Sequence, residues 1–337
     1  MDIKYNFSLK KYNTFGINAY AKSFVSIENT TDLKAILAAK KAEKKLILGG
    51  GSNMLLVNNF DGLVLHNHLK GIEKIKENDD FVWVKVSGGE VWHDFVMYVI
   101  DKNWAGLENL SLIPGSVGAS PIQNIGAYGV ELEQRFERLE AVHLETLETH
   151  IFEHSDCHFA YRNSIFKQQL KGQYFITSVT FRLSQKPTFN IQYGAIQKTL
   201  EALNVKELSI KKISDAVCQI RTGKLPDPRK IGNSGSFFKN PELDKNTFAK
   251  LQKKYPNIPN YPLENGKIKV PAAWLIEQAG WKGKRFGDAG VYPHHALVLV
   301  NYGDASGREI QQLSNNIQAS ILEKFELKIH PEVNVLI

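Results

Sequence analysis

The feature that most constrains the fold is the stretch 113–129, which reads IPGSVGASPIQNIGAYG. Its four glycines and two prolines are the residue types that fit worst inside helices and strands, so it is not an ordinary element. Apolar anchors recur along it at Ile113, Val117, Ile122, Ile125 and Tyr128. A flexible linker would lack such anchors. The stretch therefore predicts a packed loop whose bare backbone is closely approached by something else.

A second glycine-rich segment, GGGSN at 49–53, lies between two apolar runs at 46–48 and 54–57. A strand that runs into a glycine loop lets backbone N–H groups cradle a phosphate. A tight turn between two strands is the alternative, although three consecutive glycines are more than a hairpin needs. The Rossmann GxGxxG pattern and the GK[ST] ending of a P-loop are both missing, so neither of those nucleotide folds is indicated.

Length and composition indicate a globular chain of two or three domains. The chain has 337 residues, of which 43% are hydrophobic and 23% charged. No apolar leader and no run of about 18 apolar residues is present. Cys157 and Cys218 are far apart and lack a CxxC partner, so neither a disulfide nor a zinc site is expected. We therefore expect a cytoplasmic protein with no membrane partner.

The net charge of +7 has two interpretations. One is a dispersed surface charge, and the other is an anionic small-molecule ligand. No basic block and no nucleic-acid-binding motif is present, so no nucleic-acid partner is expected. The ten histidines are scattered, and the adjacent pair His294 and His295 does not face one metal as readily as an i, i+4 pair would. No metal is predicted.

Hydrophobic spacing predicts the elements that place these segments. Helices are expected over 33–42, 89–103, 213–222, 272–280 and 308–325. Ser214 or Asp215 is expected to cap the third of them. Strands are expected over 46–48, 81–86, 139–144, 175–183 and 296–300. A change of texture near 205–225 predicts a boundary between a glycine-loop region and a smaller α+β domain.

Three side chains are candidates for chemistry, each with an ordinary alternative. Arg162, among aromatic residues, is either a stacked surface residue or a rigid guanidinium that grips a carboxylate. Ser236, in a glycine-rich turn before two phenylalanines, is either a turn former or a buried hydroxyl with a function. Glu332, between a proline and an apolar strand, is either solvated or partly desolvated with a raised pKa. No nucleophile elbow with suitable triad partners is present.

Seven segments, in order along nearly the whole chain, resemble one family. They are NTFGI at 13–17, LGGGSN at 48–53, IPGSVGASPIQNIGAYG at 113–129, YRNSIFK at 161–167, RTGKLPDP at 221–228, GNSGSFFKNP at 232–241 and HPEV at 330–333. Together they resemble the UDP-N-acetylenolpyruvoylglucosamine reductases, the MurB family. The segments around Tyr193 and Tyr261 are similar to those of its longer, type I form.

The resemblance implies an α+β fold with a two-part FAD-binding region of the vanillyl-alcohol-oxidase (PCMH) type, followed by a smaller α+β substrate-binding domain. It implies FAD subdomains at 1–65 and 66–215 and a substrate domain at 216–327. The C-terminal strand 328–337 would return to the first subdomain. It also implies a monomer.

The resemblance further implies that NADPH reduces FAD, which then gives hydride to the enolpyruvyl group of UDP-GlcNAc-enolpyruvate. The product is UDP-N-acetylmuramate, a peptidoglycan precursor. Ser236 matches the proton donor, and Arg162 and Glu332 match the residues at the enolpyruvyl carboxylate. This agrees with the chemistry, because hydride addition leaves negative charge that a fixed cation and a hydrogen-bond donor can stabilise.

The same resemblance assigns binding residues. Positions implied for FAD are Leu48, Gly49, Gly50, Gly51, Ser52, Asn53, Pro114, Gly115, Ser116, Gly118, Ala119, Asn124, Gly126, Ala127 and Tyr128. Positions implied for the nucleotide-sugar are Tyr193, Lys224, Asn240, Tyr261 and His295. Two departures stand out: His295 replaces an expected glutamine, and Asn334 replaces an expected arginine two residues after Glu332.

Two other functions remain open on the sequence. One is a flavoenzyme of the same fold that acts on a small alcohol or hydroxy acid. The segments 232–241 and 330–333 argue against it. The other is a cofactor-free binding protein that keeps the loops as a scaffold, which the colour of the purified protein would distinguish.

Overall fold

The computed structural model describes residues 2–336, and the chain divides into two compact units. Unit 1 comprises Met1–Phe7, Ala21–Gly50 and Asp61–Gly223. Unit 2 comprises Ser8–Tyr20, Gly51–Phe60 and Lys224–Ile337. The division into 1–65, 66–215 and 216–327 stays a prediction. Met1, the first residue of the predicted first subdomain, lies outside the described residues, as does Ile337, the last residue of the predicted returning strand.

The described chain contains both helices and strands. The α-helices are α1 (Thr30–Ala39), α2 (Trp92–Asp101), α3 (Gly194–Ala202), α4 (Ile210–Lys224), α5 (Lys245–Lys254), α6 (Ala272–Gln278) and α7 (Gly307–Phe325). The first strands are β1 (Lys4–Ser8), β2 (Tyr20–Ile27), β3 (Lys45–Leu48), β4 (Met54–Leu56), β5 (Phe60–Asn67), β6 (Ile72–Glu77), β7 (Phe81–Ser87), β8 (Gly126–Ala127), β9 (Val130–Glu131) and β10 (Phe136–His143). The others are β11 (Thr149–Glu153), β12 (Tyr174–Ser184), β13 (Gly232–Ser236), β14 (Glu242–Leu243), β15 (Tyr261–Pro262), β16 (Ile268–Lys269), β17 (Arg285–Phe286), β18 (Ala289–Val291), β19 (Val298–Asn301) and β20 (Asn334–Leu336).

The five helices predicted from spacing are confirmed, with ends shifted by a few residues, as α1, α2, α4, α6 and α7. The predicted cap of α4 is wrong. The helix begins at Ile210, and Ser214 lies inside it, 1% exposed, with its hydroxyl 2.7 Å from that of Ser111. A buried partner for the serine therefore outweighed its preference for a helix start. At α1 the cap is Asn29, whose side chain accepts from the amide of Asp32 at 2.8 Å.

Unit 1 contains two larger sheets. In the four-stranded sheet, of order β1-β2-β5-β3, strands β3 and β5 are parallel. The second sheet, of order β11-β10-β12-β7-β6, is antiparallel throughout. In β7 buried valines alternate with less buried residues, the period of a half-buried strand: Val82, Val84 and Val86. Helix α2 adds a buried stripe at i, i+3, i+4 and i+7 to the same core: Trp92, Phe95, Val96 and Val99.

Unit 2 is organised around an antiparallel sheet of order β13-β19-β18-β17. Helix α7 packs on β18, β19 and α6 through a buried stripe formed by Ile310, Leu313, Ile317 and Ile321. Ser306 and Glu309 form a capping box at its N-terminus. The C-terminal strand β20 pairs in parallel with β4, from Asn334 opposite Met54 to Leu336 opposite Leu56.

Three features bear on the protein's chemistry. No described helix is long and apolar enough to cross a membrane. Among residues 2–336, no three His, Cys, Asp or Glu side chains are grouped so that they could hold a metal ion. Cys157 and Cys218 are free thiols, and burial raises the pKa of Cys157 to about 12, so that thiol stays protonated and unreactive at neutral pH.

Candidate active site

The two glycine-rich segments meet within unit 1. A Cβ on Gly50 would lie 2.9 Å from the Cα of Gly115, and one on Gly49 would overlap the hydroxyl of Ser116. Only glycine lets two backbones approach so closely. Gly118 is equally tight, because its Cβ would lie 3.0 Å from the Cα of Gly88. The prediction that the bare backbone of these segments is closely approached is confirmed. Each of the two glycine-rich segments is approached, in part, by the other.

The cradle formed by Gly49, Gly50, Gly115 and Ser116 contains one unpaired polar atom, the hydroxyl oxygen of Ser116. Its side chain is 7% exposed, and its Oγ is buried with no hydrogen-bond partner among the described residues. A buried hydroxyl without a partner costs about 1–3 kcal/mol. The hydroxyl beside bare glycine backbone is suited to a phosphate oxygen, which accepts hydrogen bonds from both. The residues present therefore fit the pyrophosphate of FAD.

The third glycine of the run serves a different segment. Gly51 belongs to unit 2 and has φ +61°, and a Cβ there would overlap the carbonyl oxygen of Tyr12. Its carbonyl accepts from the amide of Thr14 at 3.0 Å. The carbonyl of Asn53 accepts from the amide and the side chain of Asn334, at 3.2 and 3.0 Å. Gly51 and Asn53 thus hold neighbouring segments of unit 2, the turn at Thr14 and the start of β20.

The end of the long loop is ordered by Asn124, which is fully buried in the left-handed conformation (φ +46°). Its amide nitrogen donates to one carboxylate oxygen each of Glu131 and Glu133, both at 2.9 Å, and its side-chain oxygen accepts from the amide of Glu133 at 3.1 Å. The residues that follow form the short β8–β9 pair, Gly126 and Ala127 opposite Glu131 and Val130. Asn124 therefore fixes the loop that carries the candidate FAD residues 124–128.

Arg162 lies against this loop, also within unit 1. Its backbone is left-handed (φ +52°), and its guanidinium donates to the carbonyls of Asn124, at 3.4 Å, and of Gly126. Glu131 Oε1 is 3.8 Å from its Nη1, and its Cζ is 5.2 Å from the Tyr161 ring centre. Strained backbone of this kind is held by its surroundings, and it concentrates at functional sites. The guanidinium is both stacked and hydrogen-bonded, so the two interpretations from the sequence are not exclusive.

In unit 2 the structure brings the segment of Ser236 next to that of Glu332. Ser236 ends β13, opposite Val298 of β19. The residues after it, two buried phenylalanines and Lys239, pair with the segment 330–332. The amide of Glu332 donates to the carbonyl of Phe237 at 2.7 Å, and that of Lys239 donates to the carbonyl of His330 at 2.9 Å. Both candidates are half-buried. The backbones of the two candidate segments are therefore adjacent.

The candidate nucleotide-sugar residues of unit 2 differ in their surroundings. Burial, followed by the positive charges of Lys224 and Lys282, lowers the pKa of His295, so His295 is neutral at pH 7. Asn240 has a structural bond, because its Oδ1 accepts from the amide of Ala272 at the start of α6 at 2.9 Å. Tyr261, in β15, is 55% exposed and is open to a ligand.

The remaining candidate, Tyr193, packs edge-on to Tyr128 in unit 1, with 5.5 Å between ring centres. Tyr128 has φ +51°, and its phenol is hydrogen-bonded to Arg221. Burial raises the pKa of the Tyr128 phenol. Arg221, Glu131 and Glu133 were not identified from the sequence as members of the site. Charged residues at such positions are usual on a surface, and only the fold brings them against the loop.

The fold and the glycine cradle define the class first: the protein is an FAD-binding oxidoreductase. Residues 21–146 match the family described as FAD binding domain. Residues 227–336 match the family described as UDP-N-acetylenolpyruvoylglucosamine reductase, C-terminal domain.

Similar proteins of known name identify the family to which this oxidoreductase belongs. The UDP-N-acetylenolpyruvoylglucosamine reductases of Flavobacterium johnsoniae and Amoebophilus asiaticus are 54% and 51% identical to this chain, with 100% of each chain covered. The crystal structure of the same reductase from Thermus caldophilus has a TM-score of 0.68 at 22% identity, covering 100% of this chain and 98% of that one. The chain belongs to the UDP-N-acetylenolpyruvoylglucosamine reductase family. The predicted family and the predicted fold class, an FAD-binding region followed by a smaller α+β domain, are confirmed.

Proposed function

We propose that this protein reduces the enolpyruvyl group of UDP-GlcNAc-enolpyruvate to the lactyl ether of UDP-N-acetylmuramate, with NADPH as reductant and FAD as bound cofactor. The observation that carries the proposal is the 54% identity, over the full length of both chains, with a reductase of that name. Its role would be the supply of a peptidoglycan precursor in the cytoplasm, as a monomer of the type I form. The three-part division 1–65, 66–215 and 216–327 is proposed with it.

FAD, when bound, accepts hydride from NADPH and supplies it to the substrate. The chain's part is to hold the cofactor and exclude water. The unpaired hydroxyl of Ser116 and the glycine backbone of 49–50 and 115 support a pyrophosphate site there. The proposed cofactor contacts are Leu48, Gly49, Gly50, Gly51, Ser52, Asn53, Pro114, Gly115, Ser116, Gly118, Ala119, Asn124, Gly126, Ala127 and Tyr128.

Three side chains are proposed to act on the enolpyruvyl group. Hydride addition to one carbon leaves carbanion character on its neighbour and charge on the attached carboxylate. Arg162 stabilises that charge through its planar fork, and Glu332, in its protonated form, donates a hydrogen bond. Ser236 delivers a proton to the carbanion, which is basic enough to take it from a hydroxyl. The strand pairing of 237–239 with 330–332 supports joint action of Ser236 and Glu332.

The nucleotide-sugar is proposed to bind through Tyr193, Lys224, Asn240, Tyr261 and His295. Lys224 supplies positive charge for the diphosphate. His295 is held neutral by burial and by nearby lysines, and its Nδ1 accepts from the amide of Leu297 at 3.3 Å, so that its Nε2–H is the donor, as the side-chain NH2 of a glutamine would be. This supports a direct replacement of the expected glutamine by a histidine.

An anaerobic titration tests the function. NADPH is expected to bleach the flavin absorbance, and one equivalent of UDP-GlcNAc-enolpyruvate to restore it. Bleaching without recovery would indicate a flavoenzyme with another substrate. A colourless protein that FAD cannot reconstitute would indicate a binding protein and would contradict any flavin chemistry.

Replacing Ser116 with alanine tests the cofactor cradle. If its hydroxyl donates to a phosphate of FAD, the variant loses one charge-assisted hydrogen bond, and the Kd for FAD rises roughly tenfold, or about 1.5 kcal/mol. We expect the FAD-free protein to lose no stability, because the hydroxyl has no hydrogen-bond partner among residues 2–336. Equilibrium dialysis of the apoprotein with FAD gives the first quantity, and urea unfolding of the apoprotein the second. An unchanged Kd would remove Ser116 from the cofactor site.

Replacing Arg162 with lysine tests the carboxylate contact. Lysine keeps the charge but cannot reproduce the fork, and it also loses the two carbonyl contacts of the guanidinium. We expect the substrate half-reaction to slow roughly 100-fold while reduction by NADPH is unaffected. Steady-state turnover equal to that of the wild type would argue against a bidentate grip.

A further inference from the structure

Three oxygens from one short segment of unit 1 contact the Arg162 guanidinium. Two are the backbone carbonyls of Asn124 and Gly126, and the third is the carboxylate of Glu131. The side chains of Arg162 and Glu131 are 18% and 28% exposed. Of these three oxygens only that of Glu131 carries charge, and it lies 3.8 Å from Nη1.

Glu131 is itself fixed from two sides. Its residue pairs with Gly126 in the β8–β9 hairpin, and its Oε2 accepts from the buried amide of Asn124 at 2.9 Å. Gly126 is packed between the two charged groups: a Cβ there would lie 2.8 Å from Arg162 Nη1 and 3.0 Å from Glu131 Cγ. A side chain at position 126 would therefore displace the pair, which explains a glycine in a strand at that point.

We propose that Glu131 is a positioning residue, which orients the Arg162 guanidinium for the enolpyruvyl carboxylate and is oriented in turn by Asn124. This rests on the proposed function, since it assumes that Arg162 contacts that carboxylate. A guanidinium is planar by itself, and its contacts with Glu131 and the two carbonyls fix the direction in which that plane points. That arrangement lowers the entropy lost when the fork closes on a ligand.

The charge on Glu131 is set by its neighbours. Burial and the adjacent Glu133, through a hydrogen bond and its negative charge, raise the pKa of Glu131, while Arg162 and Asn124 oppose that rise. Glu133 and Arg162 are the charged groups that face it. The ion pair forms only when Glu131 is ionised. As pH falls through this raised pKa, Glu131 takes up a proton and Arg162 loses its charged anchor.

The consequence is a limb in the pH dependence of substrate binding. Affinity for UDP-GlcNAc-enolpyruvate is expected to fall as pH drops, beginning above the ordinary range of an exposed glutamate. UDP-GlcNAc, which lacks the carboxylate, should show no such limb. Comparison of the two ligands therefore distinguishes the contact of Arg162 with the carboxylate from binding of the nucleotide-sugar.

The test is equilibrium binding of both ligands to the oxidised, FAD-loaded protein, followed by flavin absorbance across pH, in wild type, Glu131→Gln, Glu131→Asp and Glu133→Gln. In Glu131→Gln we expect roughly 10- to 100-fold weaker binding of UDP-GlcNAc-enolpyruvate, no acid limb and unchanged binding of UDP-GlcNAc. Glu131→Asp keeps the charge and is expected to recover part of the affinity. Glu133→Gln removes the neighbouring negative charge and should move the limb to lower pH.

Two results would overturn the proposal. One is a Glu131→Gln protein that binds both ligands as the wild type does. The other is equal loss for both ligands, which would indicate a structural role only. A wild-type protein that binds neither ligand would refute the proposed function itself, and the inference with it. If Glu131→Gln loses its flavin absorbance, the proposal is tested with Glu131→Asp and Glu133→Gln. An acid limb that stays at the wild-type pH in both of these variants also contradicts a positioning role for Glu131.

Discussion

Replacement of Ser236 by alanine is expected to slow oxidation of the reduced flavin by UDP-GlcNAc-enolpyruvate by roughly two to four orders of magnitude. Reduction by NADPH should be nearly unchanged, because that step needs no proton from Ser236. Ser236 is the last residue of β13, and the residues that follow it pair with the segment 330–332 that contains Glu332. Its removal leaves the carbanion to be protonated by water in a site that excludes it, and the barrier rises accordingly.

Stopped-flow absorbance measures the two half-reactions separately. Ser234→Ala is the matched control, since its hydroxyl lies in the same strand but donates to the carbonyl of Met54 at 3.2 Å. We expect the control to cost stability and to leave both rates near those of the wild type. Equal slowing of both half-reactions in Ser236→Ala would show that Ser236 supports the fold or the flavin site and is not the proton donor.

Ser236 also shows how much of the candidate site can be predicted from the sequence alone. Its glycine-rich turn and the buried phenylalanines after it single it out, as the proline before Glu332 does for that residue. Their adjacency could not be predicted, because it arises from pairing of 237–239 with 330–332. Periodicity reports which face of a strand is buried, and it does not report which distant strand lies beside it.

The run Gly49–Gly51 shows a second limit. Three consecutive glycines predicted close backbone approach, and the structure confirms it. They do not serve one purpose, however: Gly49 and Gly50 admit Gly115 and Ser116 within unit 1, whereas Gly51 admits Tyr12 within unit 2. A run of glycines indicates that there is no room for side chains at those positions. Which neighbouring segment fills the space is decided by tertiary contacts, which composition does not report.

Polar residues of the site were the hardest to predict. Asn124 was assigned to the cofactor loop through family resemblance, yet its side chain is hydrogen-bonded to Glu131 and Glu133. A glutamate on a two-residue strand has no distinctive local signal. Only its burial and its distance from Arg162 separate it from a solvated residue.

Replacement of Gly50 by valine is the most severe test of the cofactor cradle. The Cβ alone would lie 2.9 Å from the Cα and 3.3 Å from the carbonyl carbon of Gly115, and the two methyl groups extend further. Because the obstacle is backbone, it cannot rotate away as a side chain can. The two loops must separate, at a cost of about 1–3 kcal/mol for overpacking, and the N–H groups proposed to bind phosphate separate with them.

We expect Gly50→Val to purify without flavin colour and to need at least roughly 100-fold more FAD for half-saturation than the wild type. Gly194→Val is the matched control, because a Cβ at that exposed position of unit 1 meets no atom within 4 Å, and it should stay yellow. Circular dichroism of both apoproteins separates loss of cofactor from loss of fold. If Gly50→Val unfolds, Gly50→Ala, with its single added carbon, is measured in its place. Retention of FAD with wild-type affinity in either variant would mean that the closely apposed glycine backbones are a packing feature and that the pyrophosphate binds elsewhere.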